Sequence, residues 1–70
     1  MVIFINGAAR KFYNLELSYS EVVKLSGKPV GPLYTVTYKK SRGVKTEDSM
    51  SLGDVVKIKD GTIFNVALTF

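Results

Sequence analysis

Carboxylates are the side chains that could carry acid–base chemistry here, because the chain contains no Cys, His or Trp. Without a thiol or an imidazole there is no thiolate or imidazole zinc site, no disulfide and no histidine proton relay. Two carboxylate pairs remain, Glu47 with Asp48 and Asp54 with Asp60. Asp60 precedes Gly61 at a turn, where Asp is favoured for conformational reasons. We therefore predict structural roles for these carboxylates, no enzymatic activity, no cofactor and no bound metal.

A second group that could carry chemistry is the basic stretch with Lys39, Lys40, Arg42 and Lys45. Lys and Arg neutralise phosphates and aromatic side chains stack on bases, so such a stretch raises the question of a nucleic-acid site. The neighbouring tyrosines, however, are predicted on the core side of their strand, where they cannot stack on a base. Despite the net charge of +4, we predict a solvated loop rather than a nucleic-acid interface.

The length of the chain limits the architecture that must position these groups. We expect one domain over residues 1–70, and a chain of this size buries only about 60 % of the surface that its unfolded form exposes. A deep substrate cleft is therefore not expected. The longest apolar run, residues 1–5, is far short of the roughly 20 residues that span a bilayer, and it does not resemble a signal peptide. We expect a cytoplasmic protein without a membrane segment.

The first half of the sequence predicts a hairpin and a helix. Residues 2–5 are β-branched and aromatic, and Asn6-Gly7 directly after them is a strong hairpin signal. Residues 11–17 alternate between apolar and polar and predict a second strand. Ser18 and Glu21 have the spacing of a capping box, which predicts a helix that begins there and stops at Gly27.

The second half predicts three further strands. Residues 34–38 alternate, with Tyr34, Val36 and Tyr38 on one face, whereas residues 39–51 have no periodicity and predict a surface loop. Residues 55–59 and 62–70 alternate on either side of Asp60-Gly61, which predicts a hairpin with a type I′ turn.

The predicted order is β-β-α-β-β-β, an α+β arrangement with one short helix on a mixed sheet. Two hairpins joined by a helix, with the last strand returning to the middle of the sheet, form the β-grasp fold. The predicted core of this fold comprises Ile3, Ile5, Leu15, Leu17, Val22, Val36, Val56, Phe64, Val66 and Leu68.

An apolar patch is predicted on the sheet face opposite the core. If the two isoleucines of the first strand point inward, Val2 and Phe4 point to the open face. A sheet face in contact with water is normally polar, so an apolar patch there predicts a partner-binding surface. The alternative is a register wrong by one residue, which would exchange the two faces. The predicted partner-binding face comprises Val2, Phe4, Phe12, Thr35, Thr37 and Ala67.

Two stretches carry a family resemblance. Residues 1–17 are similar to the amino-terminal hairpin of ubiquitin without a gap, and residues 51–66 resemble the carboxy-terminal half of the bacterial multiubiquitin family. The family pattern is Gly-Asp/Glu-x-Val-x-Ile-Lys-Asp-Gly-x-x-Phe-Asn-Val, and this chain matches it from Gly53 to Val66. The resemblance covers the whole chain and implies the same β-grasp fold.

The resemblance also implies a function. Members of such a family are expected to be modifiers handled by a ubiquitin-type activating enzyme, a conjugating enzyme and a deubiquitinase-like metalloprotease. The carboxy terminus would be adenylated with ATP, transferred to the enzymes and attached to an amine of a target protein. The modifier itself would catalyse nothing, which agrees with a chain that lacks Cys and His.

One departure from ubiquitin-type modifiers keeps alternatives open. Their tails end in Gly-Gly, because residues without side chains thread narrow enzyme channels. This sequence has no Gly after Gly61 and ends on Thr69-Phe70, within the predicted last strand. Either a conjugation tail follows these two residues, or the protein is an adaptor that binds partners through its open face and is never conjugated. A β-grasp sulfur carrier, which needs the same tail, is a third alternative.

Overall fold

The architecture is taken from a computed structural model that describes residues 1–29, 31, 33–41, 43 and 45–68. The elements of these residues in chain order are β1 Val2–Ile5, β2 Ala8–Lys11, β3 Glu16–Ser18, α1 Tyr19–Leu25, β4 Tyr34–Lys39, β5 Asp48–Met50, β6 Val55–Lys57 and β7 Ile63–Leu68. Five of the strands form a mixed sheet in the order β2-β1-β7-β4-β5, and β3 pairs with β6 in a separate two-stranded sheet.

The position of β7 confirms the predicted β-grasp arrangement. This last strand lies in the middle of the five-stranded sheet, parallel to β1 and antiparallel to β4. The helix α1 packs on one face of the sheet, where it contacts β4 and β7. The opposite face of the sheet is not covered by the helix.

The first turn confirms the predicted hairpin after β1. Asn6 and Gly7 have φ angles of 51° and 82°, and a type I′ turn needs positive φ at both central positions. Such a two-residue turn places Ile5 opposite Ala8, and the pairing continues until Val2 lies opposite Lys11. The prediction of a single second strand over residues 11–17 is therefore wrong, because only Met1 precedes Val2 and can extend the pairing beyond Lys11.

The helix forms as predicted. The Oγ atom of Ser18 accepts a hydrogen bond from the backbone N–H of Glu21 at 3.2 Å, and Oε1 of Glu21 accepts one from the N–H of Ser18 at 3.3 Å. These two bonds form the capping box and satisfy backbone donors that the helix leaves free. The helix ends before Gly27, whose φ of +80° favours glycine.

The predicted hairpin around Asp60-Gly61 is wrong. The strand β6 pairs with β3, with Leu17 opposite Val56. Asp60 is not among the residues with positive φ, so the two residues cannot form a type I′ turn. Their turn instead joins β1: Oδ1 of Asp60 accepts from the N–H of Val2 at 2.6 Å, and the N–H of Gly61 donates to the carbonyl of Val2 at 2.8 Å.

The predicted loop over residues 39–51 contains the short edge strand β5. Met50 of this strand lies opposite Val36 of β4 and is 4 % exposed. Met50 is the single apolar residue of residues 45–51, and one apolar residue produces no alternation, so the sequence pattern could not reveal this strand.

The buried core confirms seven of the ten predicted core residues. Leu15 and Leu68 are exposed instead, because Leu15 precedes the first paired residue of β3 and Leu68 is the last residue of β7. Val56 is half-buried and packs against the core. The buried apolar residues are Ile3, Ile5, Leu17, Tyr19, Val22, Val23, Tyr34, Val36, Met50, Ile58, Phe64 and Val66.

Candidate protein-binding face

The face of the five-stranded sheet opposite the helix presents the alternate residues of each strand, and we call it the open face. The register places Phe4 of β1 between Ala9 of β2 and Ile63 of β7. Ile63 in turn lies opposite Lys39 of β4. Because cross-strand neighbours on one face are in contact range, Phe4 and Ile63 form the apolar centre of this end of the face, with a lysine beside them.

The middle of the open face is polar. Thr37 lies opposite Asn65, and the Oε1 atom of Glu47 accepts hydrogen bonds from both, from Oγ1 of Thr37 at 2.9 Å and from Nδ2 of Asn65 at 3.5 Å. Beyond this bridge, Thr35 lies opposite Ala67. The open face thus has an apolar end at Phe4 and Ile63 and a small-residue end at Thr35 and Ala67. The polar bridge made by Glu47 separates the two ends.

A cleft of about 430 Å³ lies at the apolar end of the face and is lined by Phe4, Gly7, Gly61 and Ile63. The two glycines come from the turn after β1 and the turn before β7. A Cβ atom built on either glycine would meet no atom within 4 Å. The cleft therefore has room for an apolar side chain of a partner beside the phenyl ring and the isoleucine, over the two glycines.

Five of the six residues predicted for the partner-binding face lie on the open face, and Phe12 does not. The N–H of Phe12 donates to the carbonyl of Met1 at 2.9 Å, and the amino group of Met1 donates to the carbonyl of Phe12 at 2.9 Å. These bonds pair Phe12 with Met1 on the core side of β1, where Phe12 is half-buried against the core. The prediction failed because the second strand begins three residues earlier than expected.

Ile63 is the residue of the apolar end that the sequence prediction missed. The alternation of β7 buries Phe64 and Val66 and turns Ile63, Asn65 and Ala67 to the open face. The signal was present, since the alternation that selected Ala67 also selects Ile63. That Phe4 lies beside Ile63 could not be recognised from the sequence, because parallel pairing of β1 with β7 joins residues about 60 positions apart.

Three of the four carboxylates that could have carried acid–base chemistry accept hydrogen bonds from the backbone or from side chains. Oδ2 of Asp54 accepts from the N–H of Ser51 at 2.8 Å, Asp60 binds Val2, and Glu47 holds Thr37. Within the described part of the chain, no three carboxylates are grouped closely enough to hold a metal ion. These bonds give Asp54, Asp60 and Glu47 the structural roles that the sequence predicted.

The tyrosines next to the basic stretch lie on the core side of β4, as predicted. Tyr34 is buried, and the ring of Tyr38 lies 5.8 Å from the ring of Phe64. Lys40 lines a shallow hollow of about 290 Å³ together with Lys57 and Lys59. Arg42, which the sequence grouped with this stretch, lies outside the described residues.

Thr69 and Phe70, the predicted start of a conjugation tail, also lie outside the described residues. The described part of β7 ends at Leu68, opposite Tyr34 at the start of β4. Across residues 1–29, 33–41 and 45–68, no helix has the length and apolar character needed to cross a membrane.

Comparison with known proteins identifies a family to which the sequence is similar. A family model described as multiubiquitin matches residues 1–69. No curated protein and no solved structure gives a significant match. The family match extends over every strand and the helix described above.

Proposed function

This chain belongs to the multiubiquitin family, and on that premise we propose that it is a ubiquitin-like protein modifier whose carboxy terminus is the reacting group. An activating enzyme would adenylate the carboxylate with ATP, a conjugating enzyme would receive it, and a deubiquitinase-like metalloprotease would remove it from targets. This pathway would act in the cytoplasm. The domain would supply the docking surface and the carboxylate, and its enzymes would supply the catalytic groups.

One observation carries this proposal: the open face follows β7, the strand that leads the chain towards its carboxy terminus. Ile63, Asn65 and Ala67 of β7 belong to the open face, and the described strand ends one residue later at Leu68. An enzyme docked on the open face would therefore lie next to the segment that carries the reacting carboxylate. Holding two reacting groups close together in a defined orientation accelerates a bimolecular step.

The chemistry fits a chain without nucleophiles of its own. A free carboxylate does not acylate an amine, so ATP must first convert it to an acyl adenylate with release of pyrophosphate. A thiol of an enzyme then displaces AMP to give a thioester, and the target amine displaces the thiol to give an amide. This chain has no Cys and no His, so every step after adenylation would use side chains of its partners.

The test is covalent transfer from the full-length protein. Incubation with ATP and the cognate activating enzyme should give an enzyme adduct of the expected mass that is cleaved by excess thiol. The Phe4→Ala variant should form less adduct, whereas Val55→Ala, which alters an apolar residue of the separate two-stranded sheet that is 55 % exposed, should form as much as the wild type. A thiocarboxylate on the free protein would instead indicate a sulfur carrier. Absence of any adduct from the wild-type protein would contradict the modifier proposal.

A second candidate, an adaptor that is never conjugated, is favoured by the cleft that Phe4 and Ile63 line. The cleft alone offers a binding site for an apolar side chain, without any contribution from the carboxy terminus. In this case Phe4→Ala would abolish capture of the partner, and removal of everything after Thr69 would leave capture unchanged. The modifier proposal predicts that the same removal abolishes adduct formation.

A further inference from the structure

Three lysines from separate parts of the chain converge on one hollow of the surface. Lys40 follows the end of β4, Lys57 is the last residue of β6, and Lys59 lies in the connection from β6 to β7. Together with Ile58 and Thr62 they line the hollow of about 290 Å³, and none of its described lining residues carries a carboxylate. We call this surface the lysine hollow. Because a concave surface lined by charges of one sign focuses their field, it attracts anions.

The backbone beneath the lysine hollow is held together by Thr62, which is 2 % exposed. Its Oγ1 atom accepts from the N–H of Lys59 at 3.1 Å. The same hydroxyl donates to the carbonyl of Lys59 at 2.9 Å, with the carbonyl of Lys40 at 3.4 Å. The N–H of Ile58 donates to the carbonyl of Leu15 at 2.9 Å. Because these bonds keep the lysine-bearing segments side by side, a ligand would not have to assemble them, and it would lose little affinity to their ordering.

Two carboxylates adjoin these lysines in the sequence or in the sheet, and neither lines the lysine hollow. Asp60 follows Lys59, but its Oδ1 atom accepts from the N–H of Val2 at 2.6 Å. Glu16 lies opposite Lys57 in the two-stranded sheet, but it lines a different groove. The lysine hollow therefore keeps a surplus of positive charge. An anion bound there would relieve the repulsion between the ammonium groups.

The surplus charge suits the phosphate group of a monoester. Such a group carries a charge of about −1.5 to −2 at pH 7 and has three acceptor oxygens, so that each of three ammonium groups can donate to it. Lysine is a common phosphate-binding residue and acts as a point charge. A phosphodiester of a nucleic acid carries a single charge, and Tyr34 and Tyr38 lie on the core side of β4, where they cannot stack on its bases. The lysine hollow therefore favours a monoester over a nucleic acid.

We propose that the lysine hollow is a binding site for the phosphate group of a phosphate monoester. The ammonium groups of Lys40, Lys57 and Lys59 donate to the phosphate oxygens, and Thr62 holds the backbone that carries two of these lysines. A free nucleotide and a phosphorylated side chain of a partner protein both present this group. The lysine hollow and the cleft of the open face have no lining residue in common, so the inference is independent of whether the protein is a modifier or an adaptor.

The first test is an NMR titration of the full chain with AMP and, separately, with a short phosphoserine peptide. The amide signals of Lys57, Lys59 and Thr62 should shift and saturate with a Kd of about 1–10 mM or below. The tighter of the two probes identifies the source of the phosphate group. Dimethyl phosphate, which carries one negative charge, should bind about threefold more weakly or worse. Sodium chloride at the same ionic strength should shift these signals much less, because it only screens the charges.

The second test removes single charges from the lysine hollow. Lys57→Gln and Lys59→Gln should each raise the Kd of the tighter probe about threefold or more, because each removes one ammonium donor. Lys24→Gln is the matched control, since Lys24 is an exposed lysine of α1 that does not line the lysine hollow. It lowers the net charge by the same amount, and its Kd should equal that of the wild type. Amide spectra of the variants without ligand check that the fold is retained.

Three results would overturn the inference. Sodium chloride could shift the same amide signals as much as both monoesters do, which would reduce the effect to screening. Lys24→Gln could weaken binding as much as Lys57→Gln, which would mean that the net charge of the molecule attracts the anion and the lysine hollow does not. A thymidine oligonucleotide without a terminal phosphate could bind to the hollow more tightly than either monoester, which would make it a nucleic-acid surface.

Discussion

The side chain of Asn6 pairs with the backbone of Val66 as if it were another residue of β1. Its Oδ1 atom accepts from the N–H of Val66 at 2.8 Å, and its Nδ2 atom donates to the carbonyl of Val66 at 3.2 Å. The backbone N–H of Asn6 donates to the carbonyl of Phe64 at 3.0 Å, and the chain then turns away at Gly7. The side chain thus continues the parallel pairing after the backbone has left the sheet, and it ties the first turn to the central strand.

Replacing Asn6 should therefore destabilise the domain. Asn6→Ala removes two hydrogen bonds and forces Ala to keep a φ of about 51°, so we expect a loss of about 2–4 kcal/mol in the free energy of unfolding. Urea unfolding followed by circular dichroism measures this loss in the free energy of unfolding. Asn6→Gly loses the same bonds without the backbone strain, and its loss should be smaller by about 1–2 kcal/mol. Equal losses in the two variants would contradict this partition.

The capping box gives a second stability prediction. Ser18→Ala removes the oxygen that accepts from Glu21, so the free energy of unfolding should fall by about 1 kcal/mol. Ser20→Ala, in the same helix at an exposed position, serves as the control and should change it little. Thermal or urea unfolding of both variants measures the difference. Two equal values would mean that the cap does not stabilise the helix.

A third prediction concerns the edge strand that the sequence did not reveal. Met50 is 4 % exposed and packs in the core, so Met50→Ala should lower the free energy of unfolding by about 2–5 kcal/mol. Leu52, two residues later, is 70 % exposed, and Leu52→Ala should cost less than about 0.5 kcal/mol. If both changes had the small effect, residues 48–50 would not form a packed strand.

The cleft of the open face can be tested by filling it. Gly61 has a φ of 91° and lines the cleft, and nothing lies within 4 Å of a Cβ atom built there. Gly61→Asn keeps a residue that tolerates positive φ and places its side chain towards the open space. We expect partner binding, measured by calorimetry with a cognate enzyme, to weaken about tenfold or more. Gly43→Asn, at a φ of 90° outside the cleft, is the control and should bind as the wild type does.

Local sequence signals predicted the first turn and the start of the helix correctly. Asn6-Gly7 fixed the first turn and Ser18 with Glu21 fixed the helix start, because each depends on residues within three positions of one another. The pairing of β3 with β6 joins residues about 40 positions apart, and no local pattern encodes it. The alternation in residues 55–59 and 62–70 predicted two strands. It did not determine which strand β6 pairs with, because alternation is the same whether β6 pairs with β3 or with β7.

The candidate site shows the same division between local and distant information. Alternation along β1 and β7 identified the residues that turn away from the core, Val2, Phe4 and Ala67 among them. Which of these become neighbours depends on the parallel register that sets Phe4 beside Ile63. Phe12 was misplaced for the related reason that a two-residue turn, rather than the alternation of residues 11–17, decides where β2 starts.

The most direct test of the central claim is intact mass spectrometry of the full-length protein after incubation with ATP and its cognate activating enzyme. A modifier whose open face docks that enzyme should give a thiol-sensitive adduct with the wild type and with Val55→Ala, and much less with Phe4→Ala. No adduct with the wild type, with partner capture that still depends on Phe4, would contradict the modifier role and leave the adaptor.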